Sequence, residues 1–243
     1  MIQKTFTVIE ALTKRISLKT TVKDISEDTN ISNSAVHRIL QALVEEDVVK
    51  YVPGIGYTLT SKLLTLGLSV VTQNGLLEYA IPVMRSIVAQ TKETVSLNIL
   101  SGYERLCIYR VEGDYPVAIL VKLGDKGPLF RGAAGKVIAA GLTQQEINSN
   151  LKAYVVKGLV QENEIDHILG EIELVREQGY AVSIGELIQN SGSIAVPIVD
   201  FAGFIQTSLS ISALADRLEQ QEIRQQYINL LKDSAQQLQY KFA

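Results

Sequence analysis

Residues 31–67 read ISNSAVHRILQALVEEDVVKYVPGIGYTLTSKLLTLG, and this stretch decides the fold of the N-terminal region. Its first part predicts a helix that begins after Ser32, because a serine hydroxyl can accept a hydrogen bond from the first turn of a helix. Apolar residues follow at helical spacing, namely Val36, Ile39, Leu40 and Leu43. VVKYV and YTLT then alternate in polarity on either side of the Pro-Gly-Ile-Gly turn at 53–56, which predicts a β-hairpin.

Two shorter helices are predicted upstream of this stretch. The first carries the apolar residues Phe6, Ile9, Ala11 and Leu12. The second begins at Thr21, where Asp24 completes a capping box, and turns Val22 and Ile25 inward. The chain then turns at Asn30-Ile31-Ser32, whose isoleucine is expected to point into the core. Two short helices joined by such a turn and followed by a hairpin predict a winged helix-turn-helix.

The third helix presents polar side chains on the face opposite its apolar stripe. They are Asn33, Ser34, His37, Arg38 and Gln41. Asn and Gln side chains pair with adenine, Arg with guanine, and Ser or His with base or phosphate, so this face is the predicted DNA-binding surface. Lys50 and the loop after it are predicted to form a wing against the DNA backbone. Periodicity alone leaves a second interpretation open, a small helical bundle whose exposed face is polar.

The charge of the chain restricts how such a surface can work. The 243 residues carry 23 basic and 26 acidic side chains, a formal net charge of -3. Residues 1–66 hold eight of the basic and seven of the acidic side chains. The N-terminal region is therefore not basic overall, and DNA binding must depend on where its charges point.

Three observations indicate a cytoplasmic protein. The N-terminus, MIQKTFTVIEALTKRI, alternates polar with apolar residues and lacks the apolar core of a signal peptide. The chain has no run of about 18 apolar residues, so no membrane span is predicted. The single cysteine, Cys107, lies in the apolar run LCIYRV and is expected to be a buried, reduced thiol.

Beyond residue 61 the pattern predicts a linker helix and then a domain of the α+β class, a sheet layered with helices. Residues 62–77 are apolar on one side, and Asn74-Gly75 leaves open a break in this helix. A further helix is predicted from Pro82 to about Gln90. Strands are predicted at 94–100, 104–111, 116–123, 180–185, 193–199 and 204–212, and helices at 134–142, 143–153, 162–178 and 217–241.

Two groups of residues in this domain are candidates for a ligand pocket. Gly132, Ala133, Ala134 and Gly135 begin a predicted helix, whose free amides favour a carboxylate or carbonyl oxygen. A phosphate-binding P-loop is excluded because Phe130 and Val137 stand where that motif needs glycine and a hydroxyl residue. Phe130 is expected in an apolar wall of the pocket instead. The second group consists of hydroxyl residues, Ser183, Ser193, Ser210 and Ser212, although each serine could simply bond its own backbone.

These features, in this order, resemble the IclR family of bacterial transcription regulators. In the N-terminal region the shared residues are Ser-x-Val-His-Arg-x-Leu at 34–40, Gly-Tyr-x-Leu at 56–59 and Leu-x-x-Leu-Gly at 63–67. Downstream, PLFRGAAGKVIAA, REQGYAVSIGEL and SGSIAVPIVDFAGFIQTSLSISAL are similar to family segments. The resemblance implies a GAF-like effector-binding domain, and a homodimer or dimer of dimers on palindromic double-stranded operator DNA.

The same resemblance implies that Ser183, Ser193, Ser210 and Ser212 occupy positions of ligand contacts. The family commonly has Asp at position 183 and Cys at position 193, and His-Ala where this chain has Phe130 and Arg131. These departures suggest either a ligand that needs no carboxylate partner or an anionic ligand, which meets no repulsion because no Asp occupies position 183. The expected effector is therefore a small organic acid or oxo-acid.

The sequence thus predicts a winged helix-turn-helix DNA-binding domain at 1–61, a linker helix at 62–78 and an effector-binding domain at 79–243. The predicted function is a ligand-responsive, sequence-specific transcription regulator, either repressor or activator. The alternatives are an adaptor with a degenerate winged helix and an enzyme built on the C-terminal domain. The enzyme is disfavoured because the chain has only two histidines, His37 and His167, no Gly-x-Ser-x-Gly motif and no zinc-ligand spacing. No catalytic residue, metal site or cofactor is expected.

Overall fold

The computed structural model describes residues 2–15, 19–73, 75–115, 122–199 and 205–239. The chain divides into two compact units, residues 1–75 and residues 76–243. The N-terminal unit contains the predicted winged-helix segment and most of the predicted linker. The C-terminal unit contains every described strand predicted beyond it.

Four helices and a hairpin make up the described part of the N-terminal unit. They are α1 (Ile2–Lys14), α2 (Val22–Thr29), α3 (Asn33–Glu45), β1 (Val49–Val52), β2 (Gly56–Leu59) and α4 (Ser61–Gln73). The predicted capping box of α2 is present: the Thr21 hydroxyl accepts from the Asp24 amide, and the Asp24 carboxylate accepts from the Thr21 amide at 2.7 Å. Ser32 precedes α3 as predicted, but its hydroxyl makes no capping hydrogen bond.

The core of the N-terminal unit lies between its first three helices and β1. Ile25, Val36 and Leu40 are fully buried, and Ile31 in the turn is buried as predicted. Phe6 is different, because 61% of it is exposed and α1 instead turns Val8, Ala11 and Leu12 into the core. The predicted apolar stripe of α1 was therefore wrong at Phe6.

The hairpin is hydrogen-bonded to the segment before α2. The strands β1 and β2 pair antiparallel, with Val49 opposite Leu59. Backbone hydrogen bonds join Thr20 to Ile55 and Tyr57. Gly56 makes this approach possible, because its φ is +98° and any β-carbon there would overlap the carbonyl group of Thr20.

The C-terminal unit is built on a six-stranded sheet in the order β5-β4-β3-β8-β7-β6, with every neighbouring pair antiparallel. Its strands are β3 (Thr94–Ser101), β4 (Glu104–Val111), β5 (Lys126–Pro128), β6 (Ala181–Ile184), β7 (Ser191–Val199) and β8 (Ile205–Leu214). Its helices are α5 (Leu76–Thr91), α6 (Ala133–Ala140), α7 (Gln144–Val156), α8 (Ile165–Gln178), α9 (Ala215–Glu219) and α10 (Gln221–Gln239). The predicted α+β class, with an antiparallel sheet and flanking helices, is confirmed.

Three elements differ from the prediction. The helix predicted from Pro82 begins earlier, at Leu76, because residues on both sides of the proline are buried and their packing outweighs the lost hydrogen bond. The strand β5 was missed, since Lys-Gly-Pro has no strand pattern, and the predicted helix at 217–241 is divided at Gln220. Most of the strand predicted at 116–123, residues 116–121, lies outside the described residues.

The two faces of the sheet differ in polarity. One face is apolar and packs against α5 and α10, with Leu97, Leu209 and Ile211 fully buried. Because side chains alternate along a strand, the neighbouring residues point to the other face, toward α6. In the middle of the sheet these residues are polar: Ser96, Asn98, Ser193, Ser210 and Ser212. A sheet that helices cover on both sides does not need buried polar residues for its stability. The polar face is therefore a candidate for a binding site.

Candidate functional site

A cavity of about 70 Å³ lies between the start of α6 and the polar face of the sheet. Its polar lining comes from β3, β4, β6, β7, β8 and the loop between β6 and β7. The lining residues are Ser96, Asn98, Arg105, Gly132, Ala133, Ala134, Ser183, Glu186, Leu187, Ile188, Ser191, Gly192, Ser193, Ser210 and Ser212. Seven of the eight predicted effector-binding residues are thus brought together in one place.

Gly135 is the predicted residue that does not line the cavity. Its backbone packs closely against the preceding segment, where a β-carbon would lie 2.5 Å from the Pro128 carbonyl oxygen and 2.7 Å from that of Leu129. Phe130 does not line the cavity either, contrary to the expected apolar wall. It is buried and its ring packs edge-on against that of Tyr154, with centroids 5.1 Å apart.

The floor of the cavity is a chain of hydrogen-bonded polar side chains. The register of β3 and β8 places Ser96 opposite Ser210, and their hydroxyl oxygens lie 2.8 Å apart. The Asn98 amide nitrogen donates to both oxygens, at 3.2 Å and 3.3 Å. Arg105 in β4 then donates to the Asn98 carbonyl oxygen at 3.1 Å. These four side chains are all buried, so the network forms a preorganised polar surface.

The start of α6 forms the opposite wall, and a carboxylate already occupies part of it. Gly132 is the N-cap residue, and its amide donates to Glu186 Oε2 at 3.0 Å. The Ala133 amide lies 3.4 Å from the Ser193 hydroxyl. Lys136 Nζ, on a side chain 5% exposed, donates to Glu186 Oε1 at 2.7 Å and also to Glu171. The helix dipole and Lys136 together hold the Glu186 carboxylate in place.

Sequence reasoning missed five of the polar lining residues, which are Ser96, Asn98, Arg105, Glu186 and Ser191. Ser96 and Asn98 alternate within a strand that was predicted correctly, and two polar residues on one face of a buried strand are a signal that was available. Arg105 is 7% exposed, and burial lowers the pKa of its guanidinium, although the group stays protonated. Burial likewise raises the pKa of the adjacent Cys107 thiol, which is fully buried as the sequence predicts.

The predicted DNA-binding residues all lie on the surface of the N-terminal unit. Asn33, Ser34, His37, Arg38 and Gln41 are exposed on α3, opposite its buried stripe. Lys50 is exposed in β1, where it pairs with Thr58 of β2. The arrangement has an exposed polar helix after a tight turn, with a hairpin beside it, and this is the geometry that enters a major groove.

A winged helix-turn-helix unit followed by a unit with a buried polar cavity defines a two-part DNA-binding transcription regulator. Comparison with known protein families agrees with this class. The family described as "IclR helix-turn-helix domain" matches residues 1–53, and "Bacterial transcriptional regulator IclR C-terminal" matches residues 68–240. The chain belongs to the IclR family, as its sequence motifs indicate.

Curated relatives and solved structures are similar over nearly the whole chain. HTH-type transcriptional regulator KdgR of Escherichia coli is 28% identical over 97% of this chain and 89% of its own length. HTH-type transcriptional repressor AllR of Salmonella typhimurium is 29% identical over 89% of this chain and 80% of its own. The crystal structure of Thermotoga maritima IclR superposes with a TM-score of 0.73 at 26% identity, covering 99% of this chain and 98% of that one.

The relatives are named transcriptional regulators, which is a non-enzymatic role, so the protein is a regulator rather than an enzyme. Among the residues that the structure describes, no helix is long and apolar enough to cross a membrane.

Proposed function

We propose that this regulator binds operator DNA through α3 and responds to a small organic acid held in the cavity at the start of α6. The observation that carries the proposal is the polar face of an otherwise buried sheet, where Ser96, Asn98 and Ser210 meet the helix start. Buried polar groups are costly unless they are satisfied, and a ligand bearing oxygen atoms would satisfy the remaining donors.

The DNA-binding half of the proposal depends on the exposed face of α3. Arg38 is the one charged side chain of α3 before Glu45 in its last turn, so Arg38 is the group best able to pair with a guanine. Lys50 lies on the hairpin and is proposed to contact phosphate, which positions the protein without reading sequence.

Replacing Arg38 by Ala is expected to weaken specific operator binding by about 1–3 kcal/mol. Lys50→Ala should weaken binding evenly across sequences and lower the salt slope by about one. Gel-shift titrations at several salt concentrations, on operator and on unrelated DNA, separate the two effects. Unchanged affinity in both variants would show that this face does not bind DNA.

The effector half of the proposal draws support from a structural neighbour. An IclR homologue of Microbacterium hydrocarbonoxydans was crystallised as a complex with 4-hydroxybenzoate, a carboxylic acid. It superposes with a TM-score of 0.81 at 19% identity over 99% of this chain and 98% of its own, so it shows the same fold. We place the effector of this chain among Ala133, Ala134, Ser183 and the serines of the sheet.

The double change Ser193→Ala with Ser210→Ala is expected to abolish the effector response while leaving operator binding intact. Both hydroxyls line the cavity, and a buried ligand oxygen left without its partners costs several kcal/mol. The measurement is a gel shift with and without effector, after a calorimetric screen of organic acids has found one that binds.

Ser208→Ala is the matched control for this pair. Ser208 lies on the same strand as Ser210 and is fully buried, yet it does not line the cavity and its hydroxyl has no hydrogen-bond partner among the described residues. The control should respond like the parent. A double variant that keeps full response would place the pocket elsewhere, as would a best ligand that is cationic.

For assembly we propose a homodimer or a dimer of dimers in the cytoplasm, with the DNA-binding units on a palindromic site. Support comes from α4, on which Leu64 and Leu66 are 63% and 56% exposed. Pairing two such helices across a two-fold axis would bury part of this exposed apolar surface. The sequence predicts that an apolar stripe on this helix packs partly across the two-fold axis, namely Leu63, Leu64, Leu66, Leu68, Val70 and Val71. The structure describes the backbone of Leu68, Val70 and Val71 but not their side chains.

A further inference from the structure

Arg105 is a buried cation that no carboxylate neutralises within the described part of the chain. The residue is 7% exposed, and its one hydrogen bond to a described residue goes to the neutral Asn98 side chain. Asp125 attracts it only at longer range, without an ion pair. A guanidinium has five N–H donors, so most of its hydrogen-bonding capacity is directed to no described protein group.

The fold makes room for this cation. Gly127 in β5 lies against the Arg105 side chain. A β-carbon at Gly127 would lie 2.7 Å from Nη2 of Arg105 and 2.8 Å from the central carbon of its guanidinium. Burying an unpaired charge is expensive, whereas an apolar side chain at position 105 would bury at no such cost. A cation kept in this position, at the edge of a cavity, is the arrangement expected of a receptor for an anion.

The opposite wall of the cavity, at the start of α6, disfavours an anionic group. The Glu186 carboxylate binds the Gly132 amide and contacts the cavity, so a second carboxylate at the start of α6 would be repelled. The neighbouring Ala133 amide and the Ser193 hydroxyl suit a neutral oxygen, either carbonyl or hydroxyl. The cavity measures only about 70 Å³, which suits a short ligand.

We propose that Arg105 is the specificity-determining residue of the effector site and binds the carboxylate of a short oxo- or hydroxy-monocarboxylic acid. The ligand's second oxygen faces the start of α6, beside Glu186. This inference rests on the proposed function of the cavity as the effector site. It reverses the orientation that the sequence suggested, in which the helix start binds the anionic end.

The test uses the full-length protein without DNA, and measures thermal stability and binding heat with defined probes. The probes are acetate, 3-hydroxybutyrate and 4-oxopentanoate, each compared with its primary amide and with chloride at equal ionic strength. In the parent protein the acids should raise the melting temperature and bind more tightly than their amides, while chloride does neither. Arg105→Gln should remove this preference for acid over amide, a loss of about 30-fold or more in the affinity for the acid.

Two further variants keep the result interpretable. Arg105→Lys retains the positive charge and should retain a preference for the acids. Arg110→Gln is the matched control, because Arg110 lies on the same strand but outside the cavity and pairs with Glu112. It should bind all probes as the parent does.

Two results would overturn the inference: equal binding of acids and amides by the parent, or an undiminished acid preference in Arg105→Gln. If Arg105→Gln fails to fold, the acid-to-amide comparison in the parent and in Arg105→Lys still decides the question. Operator binding is measured separately by gel shift. A protein that prefers acids but binds no DNA would refute the proposed function and leave the role of Arg105 standing.

Discussion

Replacing Lys136 by Met is expected to destabilise the C-terminal unit by about 3 kcal/mol, the cost of leaving buried charges without their partner. Lys136 is 5% exposed on its side chain and pairs with both Glu171 and Glu186, whose side chains are 31% and 29% exposed. Met has nearly the same length but no charge, so two facing carboxylates would remain against an apolar side chain. Because Glu186 also binds the Gly132 amide, the start of α6 should loosen as well.

The measurement is urea denaturation of the full chain, followed by the reaction of Cys107 with a thiol reagent. Cys107 is the single cysteine and is fully buried in β4, so its reactivity reports opening of the sheet of the C-terminal unit. Lys152→Met, at an exposed position of α7, should change the midpoint little. Adding Glu171→Gln and Glu186→Gln to Lys136→Met should recover part of the stability. A Lys136→Met protein as stable as the parent would contradict the role of this cluster.

Gly135→Ala is the second change with a large expected effect, a loss of about 2–3 kcal/mol from overpacking. The new β-carbon would lie 2.5 Å from the Pro128 carbonyl oxygen and 2.7 Å from that of Leu129. Both contacts are with backbone, which cannot rotate away as the end of a side chain can. The start of α6 must therefore shift, and the wall of the effector cavity shifts with it. Effector affinity should fall together with stability.

Gly170→Ala gives the opposite result in the same unit and serves as its control. Gly170 lies inside α8, and a β-carbon there meets no atom within 4 Å. Alanine is favoured over glycine within a helix, so this change should stabilise the protein by up to about 1 kcal/mol. Cys107 reactivity in urea reports both changes. If Gly135→Ala also proved stabilising, the close packing of α6 on the segment before it would be disproved.

Local pattern was enough to predict most of the N-terminal unit. Helical spacing, the Thr21–Asp24 capping box and the turn between β1 and β2 involve residues close together in the chain. The interactions that stabilise these elements can therefore be predicted from the local sequence. The same holds for β4, whose apolar run was assigned its observed limits of 104 and 111. Phe6 and Pro82 were misjudged because their environment depends on what packs against them.

The candidate site was only partly predictable for the same reason. Alternation along β8 places Ser210 and Ser212 on one face, and the glycine and alanine run marks the start of α6. Glycine at 135 was assigned to binding, but the structure uses it for close packing. A glycine whose amide is free to bind a ligand and a glycine that allows two backbone segments to pack closely look the same in the local sequence.

What the sequence by itself determined, then, is the order of elements, the polar face of α3 and the family of the protein. Only the tertiary structure decided that β8 pairs with β3 and β7, which brings Ser210 beside Ser96 and Asn98. It also decided that Glu186 reaches the Gly132 amide 54 positions away, and that Arg105 remains without a carboxylate among the described residues. These outcomes depend on strand order and register. Both are determined by how much apolar surface the whole sheet buries on its two faces, and this cannot be read from any single segment of the sequence.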